Sequence, residues 1–158
     1  MTIIEATAAY ERWAAERIDI LAPDIALKHR TMSSGEFPFL RATFYRWALL
    51  WSQICPQLAA APAVLAVGDL HIENFGTWRD AEGRLAWGVN DFDEAFPIAY
   101  TNDLVRLATS VLLAARESAL SIRAPEACDA ILTGYRQAIE RGSSEPSTAF
   151  VTGKSSIT

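Results

Sequence analysis

The sequence predicts an α+β fold, mainly helical, in which a small antiparallel sheet carries an acidic loop. Helical spacing of apolar residues dominates both sides of residues 64–94. Only residues 64–67 and 85–89 have good strand character, being short apolar runs. Each run ends in chemistry-bearing residues, Asp69, His71 and Asn74 after the first and Asp91, Asp93 and Glu94 after the second. Strand ends on a rigid scaffold are where side chains can be presented to a ligand.

The elements follow in order. Residues 3–21 place Tyr10, Trp13, Ala14, Ile18 and Leu21 on one face, which predicts an amphipathic helix. Ala22-Pro23 is expected to stop it, and Asp24 to cap a shorter helix that carries Lys28 and reaches about Met32. Ser33-Ser34-Gly35 breaks that pattern. Pro38 suits the first turn of a third helix reaching Ile54, with Phe37, Leu40, Phe44, Trp47, Trp51 and Ile54 as one stripe. That stripe reads as core packing rather than a cofactor box, with Arg41 and Arg46 off it.

Pro56 is expected to end this helix, and an alanine-rich connection leads to the first strand. Asp80-Ala81-Glu82-Gly83 has turn composition, so a hairpin-like connection is expected to bring the two acidic sets together. Residues 95–101, which include Pro97, read as a loop. A helix over 102–117 puts Leu104, Leu107, Ala108, Val111 and Leu112 on one face, and Asp103 in its first turn, where the helix dipole favours a carboxylate. A last helix over 124–141 carries Cys128, Ile131, Tyr135 and Ala138, with Gly142 as its C-cap.

Composition bounds the rest. With 158 residues, 51% of them hydrophobic, the chain can bury a core, and a single domain over 1–142 with a flexible Ser/Thr-rich tail over 143–158 is expected. The net charge of −5 argues against a broad nucleic-acid or anionic-membrane surface. Cys55 and Cys128 form no Cys-x-x-Cys pair and are expected to be buried free thiols. Glu5 stands where a signal peptide needs a basic region, and no apolar run is long enough to span a bilayer, so a cytoplasmic location is expected. Thr152-Gly153-Lys154-Ser155 is no P-loop, because the pattern's first glycine falls at Thr148.

The acidic loop fits phosphoryl transfer, in which an Asp orients the attacking hydroxyl and an Asn and a second Asp hold the metal. Asn74 follows Asp69 by five residues, the separation in a kinase catalytic loop, and Asp91-Phe92-Asp93 stands at the end of a following strand. Carboxylates crowded together need a cation between them. The bland alternative makes Asp69 and Asn74 turn residues and Asp91, Asp93 and Glu94 solvated loop acids. His71 reads as packing that holds the loop's shape rather than as a metal ligand, and His29 as an exposed helix residue without a partner. Gly68-Asp69-Leu70-His71 also imitates part of a metallophosphoesterase motif, but that class needs more histidines than His29 and His71.

Val67-Gly-Asp-Leu-His-Ile-Glu-Asn-Phe75, Asn90-Asp-Phe-Asp-Glu-Ala95 and Asn102-Asp-Leu-Val-Arg-Leu-Ala108 resemble the second lobe of the aminoglycoside-phosphotransferase branch of protein-kinase-like folds. With Lys28-His-Arg-Thr-Met32 and Phe37-Pro-Phe-Leu-Arg41 upstream, they are more closely similar to the bacterial family catalogued as domain of unknown function 2252. The resemblance implies Mg2+ and ATP as cofactors, a nucleotide and a phosphate acceptor as partners, and Asp69 as the catalytic residue. It further implies Asn74, Asp91 and Asp93 as metal ligands, and Asp103 as a buried carboxylate bracing the catalytic loop. Lys28 and Arg41 match the motif and are possible phosphate-binding cations. Members of the resembled family are longer, and no glycine-rich loop or strand-borne lysine precedes Asp69. A truncated chain, and an inactive kinase-like binding module as the alternative, are therefore also expected.

Overall fold

In the computed structural model, which describes residues 1–144, the chain is α+β and mainly helical, with two small antiparallel sheets. Helix α1 (Ile3–Ala15) opens with a capping box between Thr2 and Glu5. It stops well short of residue 21. Arg17 donates to the Trp13 carbonyl at 2.7 Å and lies 4.5 Å from the centre of its ring, closing the helix end and leaving Ile18 and Leu21 exposed. Ala22-Pro23 does not follow a helix but begins α2 (Ala22–Met32), with proline in the first turn and Asp24 inside it.

The expected third helix is two, α3 (Glu36–Ala42) and α4 (Phe44–Ile54). Thr43 separates them with φ −128° and ψ 34°, its hydroxyl donating to the Phe39 carbonyl at 2.7 Å. Such a side-chain bond competes with helix propagation. Phe37, Leu40 and Trp51 are buried as expected, whereas Ile54 is exposed. Pro56 opens a further turn, α5 (Pro56–Ala59).

Strands β1 (Ala63–Ala66) and β3 (Leu85–Val89) lie where the sequence puts them, but they do not pair with each other. β3 pairs with β2 (Phe75–Arg79), placing Phe75 opposite Val89 and Arg79 opposite Leu85. β1 pairs with β4 (Phe96–Ala99), which occupies the expected loop. Pro97 sits opposite Leu65 in this two-stranded ribbon, where every strand is an edge and proline is tolerated.

Helix α6 (Thr101–Glu117) corrects the expected packing most. Its fully buried residues are Asn102, Arg106 and Ser110, a polar line at i, i+4 and i+8, while Leu104, Leu107, Ala108, Val111 and Leu112 are only half-buried. Helix α7 (Ala124–Ser144) packs on α6 and carries buried Ala127, and Cys128 is exposed, contrary to expectation. Cys55 is half-buried. Gly142 lies within α7 rather than capping it. Ser143 and Ser144 belong to that helix, and the rest of the expected tail, with Thr152-Gly153-Lys154-Ser155, lies outside the described residues. No helix among the described residues is long and apolar enough to cross a membrane.

Candidate active site

The polar line on α6 clasps the loop that leaves β1. Asp103 accepts the backbone N–H of Val67 at 2.7 Å and of Gly68 at 3.1 Å on its two carboxylate oxygens. Asn102 donates to the Gly68 carbonyl at 3.1 Å and accepts the Trp47 indole N–H at 2.8 Å. Arg106 donates through Nε to Asp69 Oδ1 at 2.7 Å, and its Nη2 contacts the same oxygen. Ser110 accepts the Ile72 N–H at 3.0 Å. One helix face thereby satisfies loop groups from residue 67 to residue 72, and this satisfaction is why a polar stripe is buried.

Arg106 lies inside the Asn102–Ala108 motif, where spacing alone gives it no role. Its side chain is fully buried, bonded also to the Leu40 carbonyl at 2.8 Å, with its guanidinium carbon 5.0 Å from the ring centres of both Phe44 and Trp47. The aromatic stripe of α3 and α4 is therefore the roof of the polar seam. The available signal was the four-residue spacing of Asn102, Arg106 and Ser110 along a helix.

Gly68 joins the two acidic segments. Its φ of +84° favours glycine, and an added Cβ would lie 2.3 Å from the Glu94 carbonyl oxygen. The segments therefore do meet, through this contact, through the β1–β4 pairing and through a hairpin that turns at Asp80–Gly83 as expected, although its first strand is β2 rather than β1. The Asn90 N–H donates to the Asn74 carbonyl at 2.9 Å, and Asn74 Nδ2 reaches Asp91 Oδ2 at 3.4 Å. Asn74 is buried, with Oδ1 accepting the His71 N–H at 2.6 Å. Asp91 and Asp93 are exposed, and the Asp93 N–H turns back to Asp91 Oδ1 at 3.3 Å.

Charge states follow from these surroundings. Burial lifts the Asp69 carboxyl to about 6, opposed by Arg106 and reinforced by the charges of Glu94 and Asp91. Burial, then the positive charges of Arg41 and Arg106, lowers His71 to about 4. His71 is thus neutral at pH 7, packed at 86° against Phe37 with ring centres 6.1 Å apart. His29 is exposed but not without a partner, since its Nε2 meets Glu11 at 2.7 Å.

Lys28, Arg41, Asp69 and Glu94 line a common cavity of about 270 Å3. Arg41 is engaged with Glu73 at 2.5 Å.

Among the described residues no group of three or more His, Cys, Asp or Glu is arranged to hold a metal ion. The oxygen donors present suit magnesium, which is commonly held by one or two carboxylates while substrate phosphates and water complete its shell. Asn74 Oδ1 keeps a second lone pair beyond the one His71 uses.

Residues 21–156 match the family described as "Uncharacterized protein conserved in bacteria (DUF2252)". The chain belongs to the DUF2252 family. No curated protein and no solved structure matches it. The matched span of this DUF2252 chain includes Lys28, Arg41, the Asp69 loop, the Asp91 segment and the clasping helix.

Proposed function

We propose that this chain carries the phosphate-transfer half of a Mg2+-dependent, kinase-like phosphotransferase site. The observation that supports it best is the meeting of the Asp69 loop with the Asp91 segment, where Asn74 and Asp91 stand side chain to side chain at 3.4 Å. In this reading Asn74 and Asp91, with Asp93 beside them, would hold magnesium. Bound magnesium neutralises phosphate charge during transfer.

Asp69 orients the acceptor. Arg106 occupies Oδ1, so Oδ2 is the oxygen for the acceptor's hydroxyl proton. The acceptor oxygen bonds to the γ-phosphorus, the bond to the β,γ-bridging oxygen breaks, the proton passes to Asp69, and nucleoside diphosphate leaves. His71 holds the loop's shape as a neutral ring, and Asp103 braces it through two backbone N–H bonds. A two-metal phosphoesterase has less support, because His29 pairs with Glu11 on the α1–α2 layer and His71 packs on Phe37.

The kinase template also has a nucleotide-holding half, and the described elements before β1 are all helices. A second reading, a kinase-like binding module without activity, draws on the apolar exposure of the two ribbons, where Leu65 is 77% and Trp87 71% exposed. Calorimetry with magnesium and ATP separates the two. Magnesium-dependent binding that is lost in Asp91→Ala is expected. Failure to bind ATP with or without magnesium would favour the binding module, and size-exclusion chromatography would then show whether the exposed ribbons drive self-association.

A further inference from the structure

The cavity at Asp69 has a second wall, built by the helices that precede the catalytic loop. Tyr10 of α1, Lys28 of α2, Arg41 of α3 and Tyr45 of α4 share it with Asp69 and Glu94. Tyr10 and Tyr45 stack with ring centres 4.4 Å apart and planes 10° apart, and the Tyr45 hydroxyl is tied to Thr7 at 2.8 Å. Lys28 Nζ lies 4.7 Å from the centre of the Tyr10 ring and 5.2 Å from that of Tyr45. A stacked aromatic pair thus fixes the ammonium group in place.

Lys28 makes no hydrogen bond and no close ion pair among the described residues, the Glu11 carboxylate acting on it only from a distance, whereas Arg41 is taken by Glu73. An ammonium group carries three donors, so Lys28 is the cation in this cavity left for a ligand. Two carboxylates line the same cavity. Asp69 and Glu94 would repel an anion but accept a hydroxyl, and Asp69 Oδ2 is the oxygen that Arg106 leaves open. At about 270 Å3 the space lies below the roughly 300–1,000 Å3 of drug-sized sites, a size that suits a small ligand.

We propose that this cavity binds the phosphate acceptor, and that the acceptor is a small hydroxylated anion with its carboxylate or phosphate on Lys28 and its hydroxyl on Asp69. Its role as acceptor rests on the phosphotransferase reading. Its binding does not, so the test omits magnesium and nucleotide.

Glycerol 3-phosphate, D-glycerate, ethyl phosphate and glycerol are titrated into the chain by calorimetry or NMR. At least one hydroxylated anion is expected to bind about tenfold or more tightly than both glycerol and ethyl phosphate, as expected for charge-assisted contacts. Which of the two binds better tells phosphate from carboxylate. Lys28→Met, with its fold checked by circular dichroism and Lys28→Gln as a second variant, is expected to remove that preference. The proposal is overturned if glycerol binds as well as the hydroxylated anions, if ethyl phosphate matches them, if neither hydroxylated anion binds, or if the folded Lys28 variants bind unchanged. Anion binding alongside a failure of magnesium-dependent ATP binding keeps the site and removes its acceptor role.

Discussion

Arg106 holds Asp69 by a single carboxylate oxygen. Both contacting guanidinium nitrogens converge on Oδ1, while a buried arginine so placed pins the loop without covering Oδ2. Asp69 is thereby oriented by a charge behind it and left open in front, which is what a group that positions a hydroxyl requires.

Breaking this pair from one side strands a buried charge. Arg106→Met is expected to destabilise the chain by about 3–5 kcal/mol, because removing one partner of a buried ion pair leaves the other uncompensated. Asp69→Asn with Arg106→Met is expected to recover a good part of that loss. Urea denaturation of the two single variants and the double variant gives the coupling. A cost for Arg106→Met below about 1 kcal/mol, the range of exposed pairs, would show that the pair does not hold the loop.

Gly68 and Gly83 provide an internal comparison, having φ of +84° and +80°. An alanine Cβ at Gly83 meets nothing within 4 Å, whereas at Gly68 it falls 2.3 Å from the Glu94 carbonyl oxygen. Gly83→Ala is expected to cost only the left-handed backbone penalty, about 1–2 kcal/mol. Gly68→Ala adds a backbone clash and must also push the Asp69 loop away from the Asp91 segment. Thermal melts are expected to rank Gly68→Ala well below Gly83→Ala, and equal melting temperatures would remove the argument that this close approach joins the two segments.

Most helices were legible because apolar residues recur at helical spacing, though not the break at Thr43 or the turn at Pro56, and β3 was legible because its run is bounded by turn residues. β2 and β4 were not, since Gly76 and Pro97 weaken local strand signals and only pairing with β3 and β1 makes those segments strands. On α6 the apolar pattern marked a face that is half-buried, but not the polar face that is buried most deeply. The N–H groups of Val67, Gly68 and Ile72 and the Asp69 carboxylate needed partners, and that demand buried Asn102, Arg106 and Ser110. Motif spacing marked Asp69, Asn74, Asp91 and Asp103, but not Tyr10 or Tyr45, whose shared contact with Lys28 exists only once α1, α2 and α4 have packed.

Two neighbours in the loop titrate in opposite senses. The Asp69 carboxyl rises from 3.8 to about 6, so between those values the folded chain binds a proton that the unfolded chain has released. Its stabilising contribution is therefore present below 3.8 and lost as pH rises through about 6. His71 falls from 6.5 to about 4, so its contribution is present above 6.5 and lost as pH falls through about 4. Over the shared window the slopes oppose each other. Asp69→Asn is expected to give stability that rises with pH there, and His71→Gln stability that falls, measured by urea denaturation in chelator. Parallel slopes in the two variants would overturn the assignment.

Asp91 differs from these residues in being exposed, with side-chain contacts to Asn74 at 3.4 Å and to the Asp93 N–H at 3.3 Å. Neither contact is a strong structural tie. Asp91→Ala is therefore expected to change stability by no more than about 0.5 kcal/mol, as for surface substitutions away from special features. Asp103→Ala removes the acceptor of two backbone N–H groups and is expected to cost about 2 kcal/mol or more. If Asp91 holds magnesium, its loss abolishes magnesium-dependent ATP binding while leaving the denaturation midpoint in place, and Asp103→Ala lowers both together. A wild-type magnesium response in folded Asp91→Ala would remove Asp91 from the metal site and leave it the solvated loop acid of the bland reading.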